Sequence, residues 1–309
     1  MDLSQISPVL LLASLMVAST PILLAALGEM VVERAGVLNL GVEGMMIIGA
    51  IAGFSVGYET QSTALGFLAS AAAGAAFSLI FALLTLILLA NQVATGLALT
   101  LFGLGLSALL GQRYTGLKAP SAPDVNIPLL ADIPYLGPIL FRHDAMVYLA
   151  LLLVALTWAF LNKTRGGLIL KAVGENHDAA HALGYNVVLI RALAIAFGGA
   201  LAGLGGAYLS LVRVPQWIEG MTAGAGWIAL AIVVFASWKP GRVLIGAYLF
   251  GGITVLQLNL QAAGVRIPAE YLSMSPYLIT IVVLVIISAR RGKGRTDAPA
   301  ALGQNFHSS

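Results

Sequence analysis

Glu29-Met-Val-Val-Glu33-Arg34-Ala-Gly36-Val-Leu-Asn39-Leu-Gly41-Val-Glu43-Gly44 sets three carboxylates, a guanidinium, an amide and three glycines into an otherwise apolar chain. A carboxylate in hydrocarbon is costly, so it ordinarily faces a bundle interior or a watery path and is retained for a function. The stretch therefore predicts a membrane bundle with a transport role. On a helix, Asn39 and Glu43 stand four apart and share one face, which Met46 and Ile47 continue. Gly36, Gly41 and Gly44 permit close packing, or a break that frees backbone groups. Two readings follow: Asn39 and Glu43 line a translocation path, or they bond a neighbouring helix and hold the bundle.

Composition carries the membrane premise independently. Of the 309 residues, 59% are hydrophobic and 9% charged, with a mean hydropathy of +0.95; a soluble domain carries roughly 25% charge. The apolar runs reach the roughly 20 residues needed to cross a bilayer, where only helices or a closed barrel satisfy the backbone. They are continuous rather than alternating, so the expected fold is all-α, a polytopic transmembrane helix bundle. Hydropathy places about nine spans, within a range of eight to ten, near residues 8–28, 37–57, 64–89, 93–111, 144–161, 192–212, 223–238, 243–262 and 272–289. The segment Gly224–Phe235 is short and opens with two glycines, the mark of a discontinuous or re-entrant element. No cysteine is present, which excludes disulfides and thiolate metal sites. Met1-Asp2-Leu-Ser-Gln lacks the basic region of a cleaved signal peptide, so the first apolar run is expected to stay as a span.

Basic residues orient the bundle. The run Arg290-Arg291-Gly-Lys293-Gly-Arg295 marks a cytoplasmic segment, and counting back through alternating spans puts Arg34, Lys163, Arg165, Lys171, Arg191, Lys239 and Arg242 on the same side. Arg113, Lys118, Arg142, Arg213 and Arg266 fall outside, and the N-terminus is expected to be extracytoplasmic. The transmembrane region then covers 1–290, and 291–309 is a basic, then disordered, cytoplasmic tail. An external loop at 112–143 holds five prolines, which preclude a long regular helix, and reads either as a docking surface or as a connector. An internal segment at 171–184 specifies a short helix, with Asn176 as N-cap, Asp178 in the first turn and Gly184 after its end. Its Ala-rich surface suits a groove on another protein. The run Gly198-Gly199-Ala-Leu-Ala202-Gly203-Leu-Gly205-Gly206 has the small-residue spacing of closely packed helices.

Further polar stripes extend the candidate path: Asn91, Gln92 and Thr95 open the fourth span, and Thr254, Gln257 and Gln261 share a face of the eighth. Amides both donate and accept, which suits an uncharged polar solute better than an ion, although each such residue also serves as a helix–helix bond. Catalytic constellations are absent. There is no G-x-x-x-x-G-K-[ST] loop, so this chain is not expected to hydrolyse ATP by that route. His177 and His181 stand four apart, but Asp follows His177 and no third ligand is evident, so they read as a solvated helix face. No metal, cofactor or nucleic acid is implied. Glu43 has no intramembrane Arg, Lys or Asp partner in the predicted spans, which counts against the alternative of an ion-coupled secondary carrier.

Glu33-Arg34-Ala-Gly36-Val-Leu-Asn39-Leu-Gly41-Val-Glu43-Gly44-Met, Asn91-Gln-Val-Ala-Thr-Gly96, and Ala172-Val-Gly174-Glu-Asn176 with Ala179-Ala180 and Leu183-Gly184 closely resemble the permease subunits of bacterial ABC importers for nucleosides. Those belong to a wider group serving simple sugars and branched-chain amino acids. The resemblance runs from about residue 20 to 290. It implies an ABC type II-like importer permease in the bacterial inner membrane. It also implies a partner ABC ATPase, a second and usually non-identical permease, an extracytoplasmic substrate-binding protein and a small polar solute. By the same resemblance 171–184 is a coupling helix, with Gly174, Glu175, Asn176, Asp178, Ala179, Leu183 and Gly184 at the ATPase. His177 departs from the pattern, because such loops often carry Pro after the Asn; a first-turn residue need not donate its amide, so docking is expected to survive.

Overall fold

The computed structural model describes residues 8–120, 122–126, 130–262 and 298–307, with scattered positions between 268 and 285. The chain is an all-α bundle: α1 Pro8–Arg34, α2 Val42–Thr60, α3 Thr63–Ala82, α4 Gln92–Gly111, α5 Leu136–Leu140, α6 Ala145–Lys163, α7 Arg165–Glu175, α8 His177–Ala182, α9 Val187–Tyr208, α10 Ala225–Ala236 and α11 Pro240–Ala262. Single π turns extend α3 through Leu83–Ile87 and α9 through Leu209–Arg213. Among the described residues the β structure is one three-residue antiparallel ladder, Asp124–Asn126 against Arg142–Asp144, and two isolated bridges.

Among the described residues six helices are long and apolar enough to cross a membrane, against the nine or so spans expected along the whole chain. Two of the remaining expected spans are α2, with Glu43 and Glu59 near its ends, and α10, whose 12 residues rise only about 18 Å and cannot cross a core of roughly 30 Å. Only scattered positions of the expected span 272–289 are described, and the basic run at 290–295 lies outside the described residues.

Helix α1 is the central post: almost every residue from Met16 to Glu33 is buried. Around it stand α9, α10, α11 and α6, while α2 and α3 close against α9. The outer faces of α3, α4 and α6 expose Leu68, Leu79, Leu101, Phe102, Leu109 and Leu152, as a lipid-facing surface does. The close approach of α2, α3 and α9 is made by glycine. A Cβ on Gly203 would strike the Ser70 carbonyl, and one on Gly206 the Met46 carbonyl. The small-residue run of α9 thus serves packing within the chain.

The described residues of 112–143 form a lid at one end of the bundle, and the longest helix among them is α5, five residues long. Tyr114 donates to Glu59 Oε1 at 2.6 Å, and Thr115 and Lys118 bridge to Trp217 and Gln216. Asp144 caps α6 through Met146 N at 2.9 Å and accepts from the Tyr208 hydroxyl at 2.6 Å.

The expectation of disorder beyond Thr296 fails for 298–307. Ala301 and Phe306 are buried, and the amides of Ala301 and Gly303 donate to the Gly174 and Gly36 carbonyls at 2.9 and 3.1 Å. Small residues made this segment look unstructured, yet they let it lie flat against the bundle.

Replacing Gly203 by Leu must displace backbone rather than a flexible side chain, and is expected to destabilise the protein by about 3 kcal/mol or more. Gly105→Ala, where a Cβ meets nothing within 4 Å, is expected to be neutral or to stabilise by about 0.5–1 kcal/mol. Thermal unfolding of the two purified variants in detergent measures the contrast.

Candidate functional site

Between α1 and α2 the chain unwinds for residues 35–41, and each backbone group buried there without helical bonds needs another partner. Leu38 N donates to Gln92 Oε1 at 2.8 Å, and Asn39 N to Glu29 Oε1 at 3.2 Å. Gly41 N donates to the Asn39 side chain at 2.9 Å, and Thr100 Oγ1 donates to the Leu40 carbonyl at 3.1 Å. Gly96 lets α4 approach, since a Cβ there would press on the Leu40 and Gly41 amides.

The second break, residues 214–224, descends from the lid to the start of α10. Glu43, 3% exposed, closes it: Oε1 accepts from Thr222 Oγ1 at 2.5 Å and Gly224 N at 2.9 Å, and Oε2 accepts from Gly226 N at 2.7 Å. A carboxylate at a helix N-terminus satisfies orphan amides and complements the dipole. Here it fills the anion site that a half-helix would otherwise present to a solute. At the other end of α10, Trp238 Nε1 donates to Glu33 Oε2 at 2.5 Å and Arg34 donates to the Trp238 carbonyl at 3.2–3.3 Å. Glu29 and Glu43 therefore each hold a piece of broken backbone, and Glu33 holds the Trp238 indole. Glu29 Oε2 meets no partner among the described residues.

For Asn39 and Glu43 these bonds agree with the second of the two readings, polar residues that hold the bundle together. Asn39, Glu43 and Gln92 are buried and bonded to backbone, Asn91 caps α4 through Ala94 N at 2.9 Å, and Thr95 is buried one turn on. Of the residues proposed from sequence, Gln257 and its neighbour Thr254 face open space, a cavity of about 290 Å³ that Arg213, Thr222 and Tyr277 also line. Gln261 lies a turn further along α11 and does not line it. Arg213, counted only as an outer basic residue in the sequence, ends the π turn after α9. π turns recur at functional sites.

The second candidate region is the elbow α7–α8. Three side-chain caps build it: Thr164 on Gly167 N at 3.1 Å, Asn176 on Ala179 N at 2.9 Å and Asn186 on Leu189 N at 3.0 Å. Sequence reading found Asn176; the other two caps were present in the chain and passed over. Gly184, at φ +89°, ends the elbow. Glu175, Asn176, Asp178, Ala179, Leu183 and Gly184 are exposed, Leu183 by 77%. Gly174 is not on this surface: it is buried, and a Cβ there would strike the Arg34 carbonyl.

His177 corrects the expectation of a solvated face, because it is buried. Arg191, wholly buried, lies 3.2 Å from His177 Nδ1 and donates to the carbonyls of Ala35 at 3.1 Å and Gln304 at 3.0 Å. A guanidinium only donates, so Nδ1 accepts and the imidazole proton sits on Nε2, facing Asp178 at 3.5 Å. Burial, and then the Arg191 charge, hold His177 below its ordinary value.

Two outcomes follow. Glu43→Ala strands three buried donors at about 1–3 kcal/mol each, so it is expected to lower the unfolding temperature and speed amide exchange across 222–228; a solute-contacting role would leave both unchanged. For His177 the folded value lies below the unfolded one. Its contribution is therefore present above about pH 6.5 and lost as pH falls through the folded value. Amide exchange of 171–184 and 298–307, corrected for intrinsic rate, is expected to accelerate at about pH 5 relative to about pH 7.5, and His177→Asn, which keeps an acceptor, is expected to abolish that difference.

A family model described as "Branched-chain amino acid transport system / permease component" matches residues 11–287. Over 312 residues the chain is 42% identical to a putative glucose ABC transporter permease of Haloferax volcanii, covering 94% of this chain and 95% of that one. It is 36% identical to a guanosine ABC transporter permease of Bacillus subtilis, covering 98% of both, and 33% identical to a nucleoside ABC transporter permease of Lactococcus lactis, covering 96% of both. No solved structure matches it. With its unwound, carboxylate-braced helices and its apolar spans, the chain belongs to the branched-chain amino acid transport system permease family, and is a multi-pass membrane permease of the ATP-binding-cassette type.

Proposed function

We propose that the chain forms part of the translocation path for a nucleoside or related hydroxyl-rich solute in an ABC importer, and that its elbow takes force from a partner ATPase. The observation that carries the reading is the elbow itself. A six-residue helix, capped at Asn176 and stopped at Gly184, offers small residues and an uncovered Leu183 to whatever docks there. In a single chain an exposed leucine at the tip of a rigid elbow has no packing role. The positive-inside pattern supports a cytoplasmic position for this end and an outward one for the N-terminus and the 112–143 lid.

The solute class rests on the named substrates of the relatives and on the chemistry of the cavity. Amide, hydroxyl and guanidinium groups from Gln257, Thr254, Thr222 and Arg213 suit the hydroxyls of a ribose or hexose ring, and Tyr277 offers an aromatic face. Simple sugars and branched-chain amino acids are the alternatives within the family. A second permease completes the path, and an extracytoplasmic binding protein delivers solute to the lid.

Reconstitution with an ABC ATPase, a second permease and a binding protein is expected to give ATP-dependent accumulation of radiolabelled guanosine, with nucleosides competing better than glucose or leucine. Accumulation driven by an ion gradient without the ATPase would overturn the proposal. Leu183→Glu costs the permease fold little because the site is exposed, within about 0.5 kcal/mol. It is expected to weaken co-purification with the ATPase by about tenfold.

A further inference from the structure

Residues 298–307 do more than rest on the bundle. Phe306, 7% exposed, stands edge-on to His177 and His181, with ring centroids 5.5 and 5.2 Å apart, and packs with Val173, Ala180 and Val187. One residue earlier, Asn305 Nδ2 donates to the Leu89 carbonyl at 2.7 Å, and Gln92 Nε2 donates to Asn305 Oδ1 at 3.2 Å. The Gln304 carbonyl accepts from buried Arg191, Gly303 N binds the Gly36 carbonyl, and Ala301 N binds the Gly174 carbonyl. In ten residues this segment ties the elbow to the unwound stretch before α2, to the start of α4 and to the first turn of α9.

Those are the elements through which movement of the elbow must reach the interior. Residues 35–41 lead directly into Glu43, and Glu43 holds the N-terminus of α10 beside the Thr222 wall of the cavity. Gln92 spans both partners, accepting from Leu38 N and donating to Asn305. Without the segment the elbow keeps its covalent ends, the Gly174–Arg34 contact and the link from His177 through Arg191 to Ala35, but it loses the aromatic wedge and the cross-link to α4.

We infer that residues 298–307 are a positioning strap which stays docked through the transport cycle and makes the elbow move as one body with residues 35–41 and α4, Phe306 being its wedge. The inference rests on the proposed function, because it assigns the strap a part in coupling ATP hydrolysis to solute movement.

The test uses the reconstituted complex, reading guanosine uptake and ATP hydrolysis together. Phe306→Ala is expected to leave complex assembly and ATP hydrolysis intact and to lower uptake per ATP by about 3- to 30-fold, with Phe306→Tyr restoring most of it. A role confined to stability would lower assembly and hydrolysis with uptake per ATP unchanged, which overturns the inference. A second arm holds should Phe306→Ala fail to fold. A Cβ built on Gly303 lies 3.9 Å from Leu38 Cβ, within disulfide reach; the strain of a side chain at its φ of +75° is common to the reduced and oxidised forms compared, and the native chain has no cysteine to compete. Leu38→Cys with Gly303→Cys, oxidised by copper phenanthroline, is expected to transport as well as the reduced form. Uptake that stops on oxidation and returns with dithiothreitol would mean that the strap must leave, and overturns the inference. Lack of ATP-dependent uptake by the parent complex overturns the functional reading itself, whereas parental uptake with an unchanged ratio in Phe306→Ala overturns the strap alone.

Discussion

A backbone amide that leaves a helix inside hydrocarbon must find an acceptor in the protein, and this constraint organises the bundle. Two such stretches among the described residues are 35–41 and 214–224. One short signature supplies much of what closes both: Glu29 on Asn39 N, Asn39 on Gly41 N, and Glu43 on Thr222, Gly224 and Gly226, with Gln92 and Thr100 completing the first. The charges that looked out of place in an apolar sequence are the acceptors that irregular backbone requires. Without them α10 would begin with bare amides in the middle of the protein.

A parallel arrangement stands at the end that carries the elbow, with the signs reversed. Arg191 is wholly buried and is surrounded by acceptors: the carbonyls of Ala35 and Gln304, and His177 Nδ1. One cation thereby joins four stretches of chain that are far apart in sequence. It also fixes the tautomer of His177. Both hubs convert an expensive buried charge into positional order, the setting in which such groups are tolerated.

What could be read from the sequence divides along a physical line. Continuous apolar runs gave the helices, the two glycines of Gly224–Phe235 pointed to a broken span, and Asn176 and Gly184 gave the ends of α8, because these signals are local. The glycine run of α9 also behaved as its spacing implies. Whether Gln92 and Glu43 face solute or backbone stayed open in the sequence, since it depends on partners 54 and 179 or more residues away. The 298–307 segment was lost for the same reason. Its composition is that of a free tail, and only the groove between α4, α8 and α9 gives it a place. Arg213 was legible as a charge but not as a cavity wall, because the π turn that carries it leaves no trace in hydropathy.

Helix α8 has a consequence of another kind. Six residues make less than two turns, and a peptide of that length does not sustain a helix by itself in water. Its shape is lent by neighbours: a cap from Asn176, a stop at Gly184, a ring from Phe306 and a buried guanidinium beneath. The motif is therefore not a portable cassette. Grafted alone into a foreign permease it would arrive as a limp loop, and anyone wishing to exchange such elbows between transporters must carry the underlying cradle with them.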